Sequence, residues 1–369
     1  MEEKIYWLWL SLIPHIGPVL QKRLLEYYGT PENVFAASVE DLQTNIKGLS
    51  TRAIQSFAAN HSLDKAKYMK EKCDKQKIKI LTIDTKNYSE IAKGCPESPI
   101  VLYVKGEIRT TKDSIAIVGS RRCSEYGKKV TQQIAAEISK QNITIVSGMA
   151  KGIDSYAHTT ALKSNGYTLA FLANGVDVCY PSEHRSLYEQ IIERGAILSE
   201  YPPGTNAHPK YFLKRNALIS SWSEKVIVVE AGEKSGALTT VDFAQKYRRE
   251  IYAVPNRIDE PNGRGTNLLL QSIAKPYLAI TSLNLMEHIK TERKLNQSSP
   301  ESIKPKQRKI DNLDPTEKRL LKILGEQPKQ ISEVQNILKI STNELEELLF
   351  NLELKGKTKI HGEYIFQNK

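Results

Sequence analysis

Between residues 76 and 285 the chain keeps repeating one pattern, a short apolar run followed by a stretch with helical spacing. The runs read KIKILTI, IVLYVKG, SIAIVGS, ITIVSG, YTLAFLA, GAILSE, KVIVVEA and REIYAVP. Several are apolar at nearly every position, as parallel strands are when helices cover both faces of a sheet; a half-solvated strand alternates instead. Between them, Val130, Ile134 and Ile138 recur every fourth residue within Tyr126–Gln141, with Ser124 placed to cap. Ile153, Ala157 and Ala161 do the same around 154–164, with Asp154 as the expected cap. Alternation of this kind predicts a doubly wound parallel α/β sheet with right-handed crossovers.

In such a sheet, ligands bind beyond the carboxyl ends of the strands, near the point where strand order reverses. SIAIV runs into Gly119-Ser120-Arg121-Arg122, and ITIV into SGMAKGIDSYAH, which begins at Ser147. Later strand ends lead into NGVDVCYPSEH, SEYPPGTNAHPKYFLKRN and EAGEKSGALTT. Gly119, Gly148, Gly152 and Gly236 let backbone approach an anion closely, and the helix N-termini that follow favour negative charge. Arg121, Lys151, Lys214 and Arg215 add full charges, while Tyr126, Tyr156, Tyr180 and Phe212 offer ring faces for bases. Each feature alone has an ordinary structural use, Gly-Ser-Arg as a turn and His158 as a buried hydrogen-bonding group. Their joint occurrence at successive strand ends points to a ligand with several phosphates in a row, a single-stranded nucleic acid.

The net charge of +11 suits a polyanionic partner. Neither G-x-G-x-x-G nor G-x-x-x-x-G-K-[ST] occurs, so the common nucleotide fingerprints are missing and no cofactor is expected. Four cysteines without a C-x-x-C pair indicate neither a zinc site nor a disulfide framework, and a reducing cytoplasm is expected. No apolar run approaches the roughly 18–20 residues that span a bilayer, and MEEKIYWLWLSLIP reads as a packed helix rather than a signal peptide.

The flanks differ from the centre. Residues 1–75 read as helices separated by turns at PHIGP, YYGTPEN and IKGLS. IPHIGPVLQKRLLEYYG, with Val19, Leu20, Leu24 and Leu25 at helical spacing, looks like a helix-hairpin-helix, and IKGLSTRAIQSF like a looser second copy. Residues 290–313 lose periodicity and gain Lys, Ser and Pro, as a flexible linker does. From 314 to 369, capping boxes at Asp314/Glu317 and Ser341/Glu344, a stop at Gly356 and a hairpin around His361-Gly362 predict three helices and a wing. Glu344, Glu346, Glu347 and Glu353 on the third helix would repel phosphates, so this winged helix is expected to serve a protein contact or regulation.

Taken in order, AIVGSRRCSEYG, IVSGMAKGIDSYAH, LANGVDVCYPSEH, ILSEYPPG, KRN and VIVVEAGEKSGALTT resemble the loops of DNA-processing protein A, the DprA/Smf family. The resemblance spans 115–240, and the two flanks agree with it. It implies an extended Rossmann-like domain that binds single-stranded DNA without strong sequence preference, dimerises, and helps load the RecA recombinase, with no catalytic reaction. Carried over by position, the implied DNA-binding residues are Gly119, Ser120, Arg121, Ser147, Gly148, Lys151, Gly152, Lys214, Arg215, Asn216, Ser235, Gly236 and Thr239. The chain departs from the family at Ala217, where a second Arg is usual, at Pro255-Asn256 in place of Pro-Gly, and around SIAKPY. Arg264 is a candidate to compensate for Ala217.

Two rivals share this kind of sheet. An NAD(P) enzyme needs an acid at the end of the second strand for the ribose, and Ser147-Gly148 stands there. A phosphoribohydrolase related to the LOG family rests on a PGG-x-GT-x-E loop, where this chain reads EAGEKSGALTT with Glu230 as its one candidate carboxylate.

Overall fold

The computed structural model describes residues 3–109, 113–283, 314–325, 327–354, 357–361 and 364–367. Contacts divide the chain into two units, Met1–Tyr180 with Leu187–Ser282, and Pro181–Ser186 with Leu283–Lys369.

The first unit begins with six helices, α1 (Glu3–Leu12), α2 (Pro18–Tyr28), α3 (Pro31–Ala36), α4 (Val39–Asn45), α5 (Thr51–Ala59) and α6 (Asp64–Lys75). Local chemistry sets their starts. Thr30, Ser38 and Ser50 each accept a hydrogen bond from the backbone three residues on, and Pro18 and Pro31 open their helices. Leu8, Leu10, Leu24, Val34, Leu42 and Phe57 close the core, with the Trp9 ring edge-on to Phe35 and Phe57 at 4.8 and 5.6 Å. The opening segment is thus a packed helix. The buried face of α2 is not the expected one, because Val19 is 47% exposed while Gln21 is buried. The Gln21 amide donates to Leu10 O at 3.2 Å and Ile16 O at 2.8 Å, satisfying a carbonyl at the end of α1 and one in the turn that follows.

Nine strands follow in one sheet: β1 (Lys79–Thr82), β2 (Val101–Gly106), β3 (Ser114–Val118), β4 (Thr144–Ser147), β5 (Thr168–Phe171), β6 (Ala196–Ser199), β7 (Lys225–Val228), β8 (Glu250–Ala253) and β9 (Lys275–Pro276). Their order is β1-β2-β6-β5-β4-β3-β7-β8-β9. From β6 across to β9 every pairing is parallel, with Ala116 opposite Val146 on one side and Val226 on the other. β1 and β2 pair antiparallel to each other and β2 antiparallel to β6, so the parallel part of the sheet ends at β6. The expected doubly wound α/β class holds, and the first eight strands coincide with the eight apolar runs.

Helices cover this sheet: α7 (Glu90–Lys93), α8 (Glu125–Lys140), α9 (Ile153–Lys163), α10 (Arg185–Arg194), α11 (Pro209–Ser221), α12 (Leu238–Lys246) and α13 (Arg264–Ser272). Ser124 caps α8 as expected, accepting from Gly127 N. Asp154 does not cap α9; the N-cap is Gly152, at φ 76°, and the Asp154 side chain turns back to earlier amides. Val118, Val146, Phe171, Leu198 and Val228 fill the core between the layers, each such burial contributing about 1.5–3 kcal/mol. The chain winds from β3 outward through β4, β5 and β6, then returns to lay β7 on the other side of β3. The switch point therefore lies between β3 and its neighbours β4 and β7.

The described residues of the second unit form three helices, α14 (Pro315–Leu324), α15 (Ile331–Leu338) and α16 (Thr342–Leu354), and a sheet of β10 (Lys329–Gln330), β12 (Tyr364–Gln367) and β11 (Thr358–His361) in that order. Both capping boxes form. Asp314 accepts from Glu317 N at 2.9 Å while Glu317 accepts from Asp314 N at 2.9 Å, and Ser341 and Glu344 exchange bonds likewise. Leu320, Leu324, Val334, Leu338, Leu345, Leu349, Leu352 and Ile365 close a small core, giving the expected winged helix. The expected linker at 290–313, the stop at Gly356 and the turn residue Gly362 lie outside the described residues.

Candidate nucleic-acid interface

A cleft of about 510 Å³ opens at the switch point, beyond the carboxyl ends of β3 and β7. Three segments wall it: 118–122 after β3, Phe212–Ile219 of α11, and 235–240 leading into α12. Asn262 closes one end, donating to Arg122 O at 2.9 Å.

The first loop leaves β3 at Gly119, where an added Cβ would meet Ile153 Cγ1 at 2.6 Å and Glu230 O at 2.8 Å. Only glycine fits this crossing. Ser120 N donates to Glu230 O at 2.7 Å, which ties the loop to the end of β7. Below it, the buried Glu230 carboxylate accepts from Ser124 N at 2.8 Å and from the Ser124 hydroxyl, anchoring the start of α8. Arg121 is exposed, its guanidinium 5.1 Å from the Phe212 ring centroid, a cation–π distance.

The second loop, 147–152, stands behind the first. Ser147 is buried and its hydroxyl donates to Ile117 O at 2.7 Å, joining β4 to β3. Gly148 is buried too. Gly152 packs on the first loop, since a Cβ there would meet Ser120 O at 2.3 Å. Lys151 is exposed and is not among the residues lining the cleft.

From α11, Arg215 reaches inward rather than outward. It is 5% exposed, and its Nη1 donates to Gly148 O and, at 2.9 Å, to Phe171 O. Asp154, 6% exposed, accepts from Gly148 N at 3.1 Å. Burial pushes the Asp154 carboxyl up while Arg215 and the loop amides oppose it. Burial likewise brings Arg215 down to about 10, with Asp154 opposing, so the guanidinium keeps its charge at neutral pH. Asn216 donates to Thr239 Oγ1 at 2.6 Å and Gly236 O at 3.2 Å, linking α11 to the third wall. Lys214 is exposed outside the cleft, where its charge favours the Glu200 carboxylate.

Of the expected site residues, Gly119, Ser120, Arg121, Arg215, Asn216, Ser235, Gly236 and Thr239 line the cleft together. Ser147, Gly148 and Gly152 support it from behind; Lys151 and Lys214 stand outside its lining. Phe212 is the one ring of the four candidates that lines it. Tyr126 donates to Pro255 O at 2.9 Å, Tyr156 lies under Lys128, and Tyr180 sits edge-on to Phe212 at 5.8 Å. Asn262, Ala150 and Asp154 line it without having been expected; Asp154 looked like a cap. Among the departures, Ala217 is buried at 2%, and Arg264 opens α13 without lining the cleft. Asn256 exchanges bonds with Asn267 at 3.1 Å in both directions.

What this geometry offers is an open trough with two exposed arginines, Arg121 and Arg122, on its rim. Its one lining acid, Asp154, is held below by its own partners. Hydroxyls of Ser120, Ser235 and Thr239 and the Phe212 face complete it. No group of three or more potential metal-ligating side chains exists among the described residues, and no helix among them is long and apolar enough to cross a membrane.

The family profile of DNA recombination-mediator protein A matches residues 79–288, and that of the DprA winged helix domain matches 304–362. Protein Smf of a Synechocystis species is 30% identical, the alignment covering 96% of each chain. DNA processing protein A from Streptococcus pneumoniae superposes with a TM-score of 0.66 at 31% identity, over 77% of this chain and 97% of that one. The Helicobacter pylori protein, whose structure addresses its single-stranded DNA binding mode, gives 0.52 at 30%, over 58% and 96%. With its sheet, winged helix and switch-point cleft in agreement, the chain belongs to the DNA recombination-mediator protein A family.

Proposed function

We propose that the switch-point cleft binds single-stranded DNA without strong sequence preference, and that the protein uses it to help load the RecA recombinase. The observation that carries this is the pairing, in one open trough, of the exposed Arg121 with the Phe212 ring. A cation for phosphate beside a face for a base is what a sequence-tolerant single-strand site needs. The Helicobacter pylori relative, studied for its single-stranded DNA binding mode, supports the reading. The loading role rests on family membership, natural transformation and recombination being the processes it serves.

A homodimer fits the exposure of the large apolar side chains Leu268, Ile273 and Leu278 on and beyond α13. The functional segments are residues 1–75, 76–289, 290–313 and 314–369, working in the cytoplasm. Glu230, the one carboxylate a phosphoribohydrolase could use, is buried and bound to Ser124, which favours binding over chemistry. The test is fluorescence anisotropy of a labelled oligothymidylate of about 20 nucleotides, single-stranded against duplex, at rising salt. Preferential single-strand binding that falls steeply with salt is expected; equal affinity for duplex overturns the reading.

A further inference from the structure

Gly148 is held at both ends by two buried side chains of opposite charge, Asp154 and Arg215. Its N–H donates to Asp154 Oδ2 at 3.1 Å and its C=O accepts from Arg215 Nη1. Ala150 N also reaches Asp154 Oδ2, at 3.4 Å. The same Arg215 Nη1 donates to Phe171 O at 2.9 Å. It therefore closes the carboxyl ends of two neighbouring strands, β4 and β5, whose ladder runs out there. The packing leaves no slack, because a Cβ on Gly148 would meet Arg215 Nη1 at 2.0 Å and Asp154 Oδ2 at 2.8 Å. On its outer side the guanidinium lies 5.6 Å from the Phe212 centroid, and the Arg121 guanidinium lies 5.1 Å from the same ring.

A phosphate-binding arginine must present its fork to solvent, as Arg121 does. Arg215 spends its Nη1 on two main-chain carbonyls and its Nε on Asn216 Oδ1. We infer that Arg215 and Asp154 are positioning residues: a buried pair that fixes the second loop and the Phe212 ring, so that the rim makes the contacts. This rests on the single-strand reading of the cleft. It also predicts an effect opposite in sign to simple electrostatics. Removing the Asp154 charge beside a site for a polyanion should strengthen binding if charge alone mattered; loss of the clamp weakens it instead.

The experiment measures anisotropy of labelled oligothymidylate on the full chain across a salt series, with circular dichroism and thermal melting as a check of folding. Wild type, Arg121→Ala, Asp154→Asn and Arg215→Lys are compared. Arg121→Ala lowers affinity and flattens the log–log salt slope by about 0.7 for each phosphate the arginine had neutralised. Asp154→Asn lowers affinity about tenfold or more, the cost of misplacing groups by an ångström, with the slope unchanged. Arg215→Lys keeps a buried cation but loses the Nε bond to Asn216 and the planar guanidinium facing Phe212, so it also weakens binding at unchanged slope, and it carries the test if Asp154→Asn does not fold.

Wild-type affinity in folded Asp154→Asn, full retention in Arg215→Lys, or a slope change in Arg215→Lys like that of Arg121→Ala overturns the positioning role alone. Absence of binding by the wild type overturns the single-strand reading and this inference with it.

Discussion

At the carboxyl ends of its parallel strands the sheet opens a cleft of about 510 Å³ walled by glycine, serine, threonine, asparagine and arginine. At the amino ends a second cavity, of about 240 Å³, lies against Lys86, Arg109, Glu90, Glu224 and Trp222, beside the first residue of β3. Both have cations at hand, yet only one has the character of an anion site. At the amino end Glu90 and Glu224 stand among the lysine and arginine, and the 86–91 segment supplies bulky side chains. At the carboxyl end the acids are buried and committed, Glu230 to Ser124 and Asp154 to Gly148 and Ala150. The difference shows that charge composition alone does not make a phosphate site; what matters is which charges the backbone leaves facing solvent.

The comparison can be broken first at the rim. Arg121→Ala is expected to cost about 1.5–3 kcal/mol of single-strand binding, roughly 10- to 150-fold, read by anisotropy, with thermal stability little changed. Next, Gly148→Ala places a methyl against the Arg215 guanidinium and should destabilise the protein by about 1–3 kcal/mol, measured by urea denaturation. The double variant Lys86→Ala/Arg109→Ala at the amino end should change single-strand affinity by less than about 0.5 kcal/mol. A loss there as large as at Arg121 would erase the distinction between the two ends.

The smallest effect concerns Glu250, which begins β8 at the amino end. Burial alone would raise its carboxyl, but hydrogen bonds from Lys225, Lys275 and Tyr252 outweigh this and bring it to about 2. A depressed carboxyl stabilises the fold above its unfolded value of 4.5 and loses that contribution as pH falls towards 2. Melting temperature in Glu250→Gln should therefore fall less steeply with acidification than in the wild type. The effect is modest because the side chain is 40% exposed.

Much of this architecture was legible in the sequence because it rests on local chemistry. Apolar runs such as SIAIV and KVIV can only be strands covered on both faces, and Ser124, Asp314 and Ser341 cap where they were expected to. The direction of β1 and β2 was not legible, since an apolar run does not say which neighbour it pairs with or which way. β9, two residues long, carries no pattern. In the site, the glycine loops announced themselves, whereas Arg215 was expected to add its charge directly to the anion site. Only the fold shows that its Nη1 meets the carbonyls of Gly148 and Phe171, residues 67 and 44 positions away. Asp154 misled for a related reason: its place at the head of the helical stretch 154–164 suggested a cap, but Gly152 at φ 76° already turns the chain into α9.

The most direct measurement is ultraviolet crosslinking of oligothymidylate to the full chain, followed by peptide mapping of the attached nucleotides. Crosslinks confined to the cleft walls, with Phe212 foremost and loss of yield in Arg121→Ala, are the predicted result. Crosslinks at 86–91 and Arg109, or in the winged helix with none at the cleft, would contradict the assignment of the switch point as the site where the strand is held.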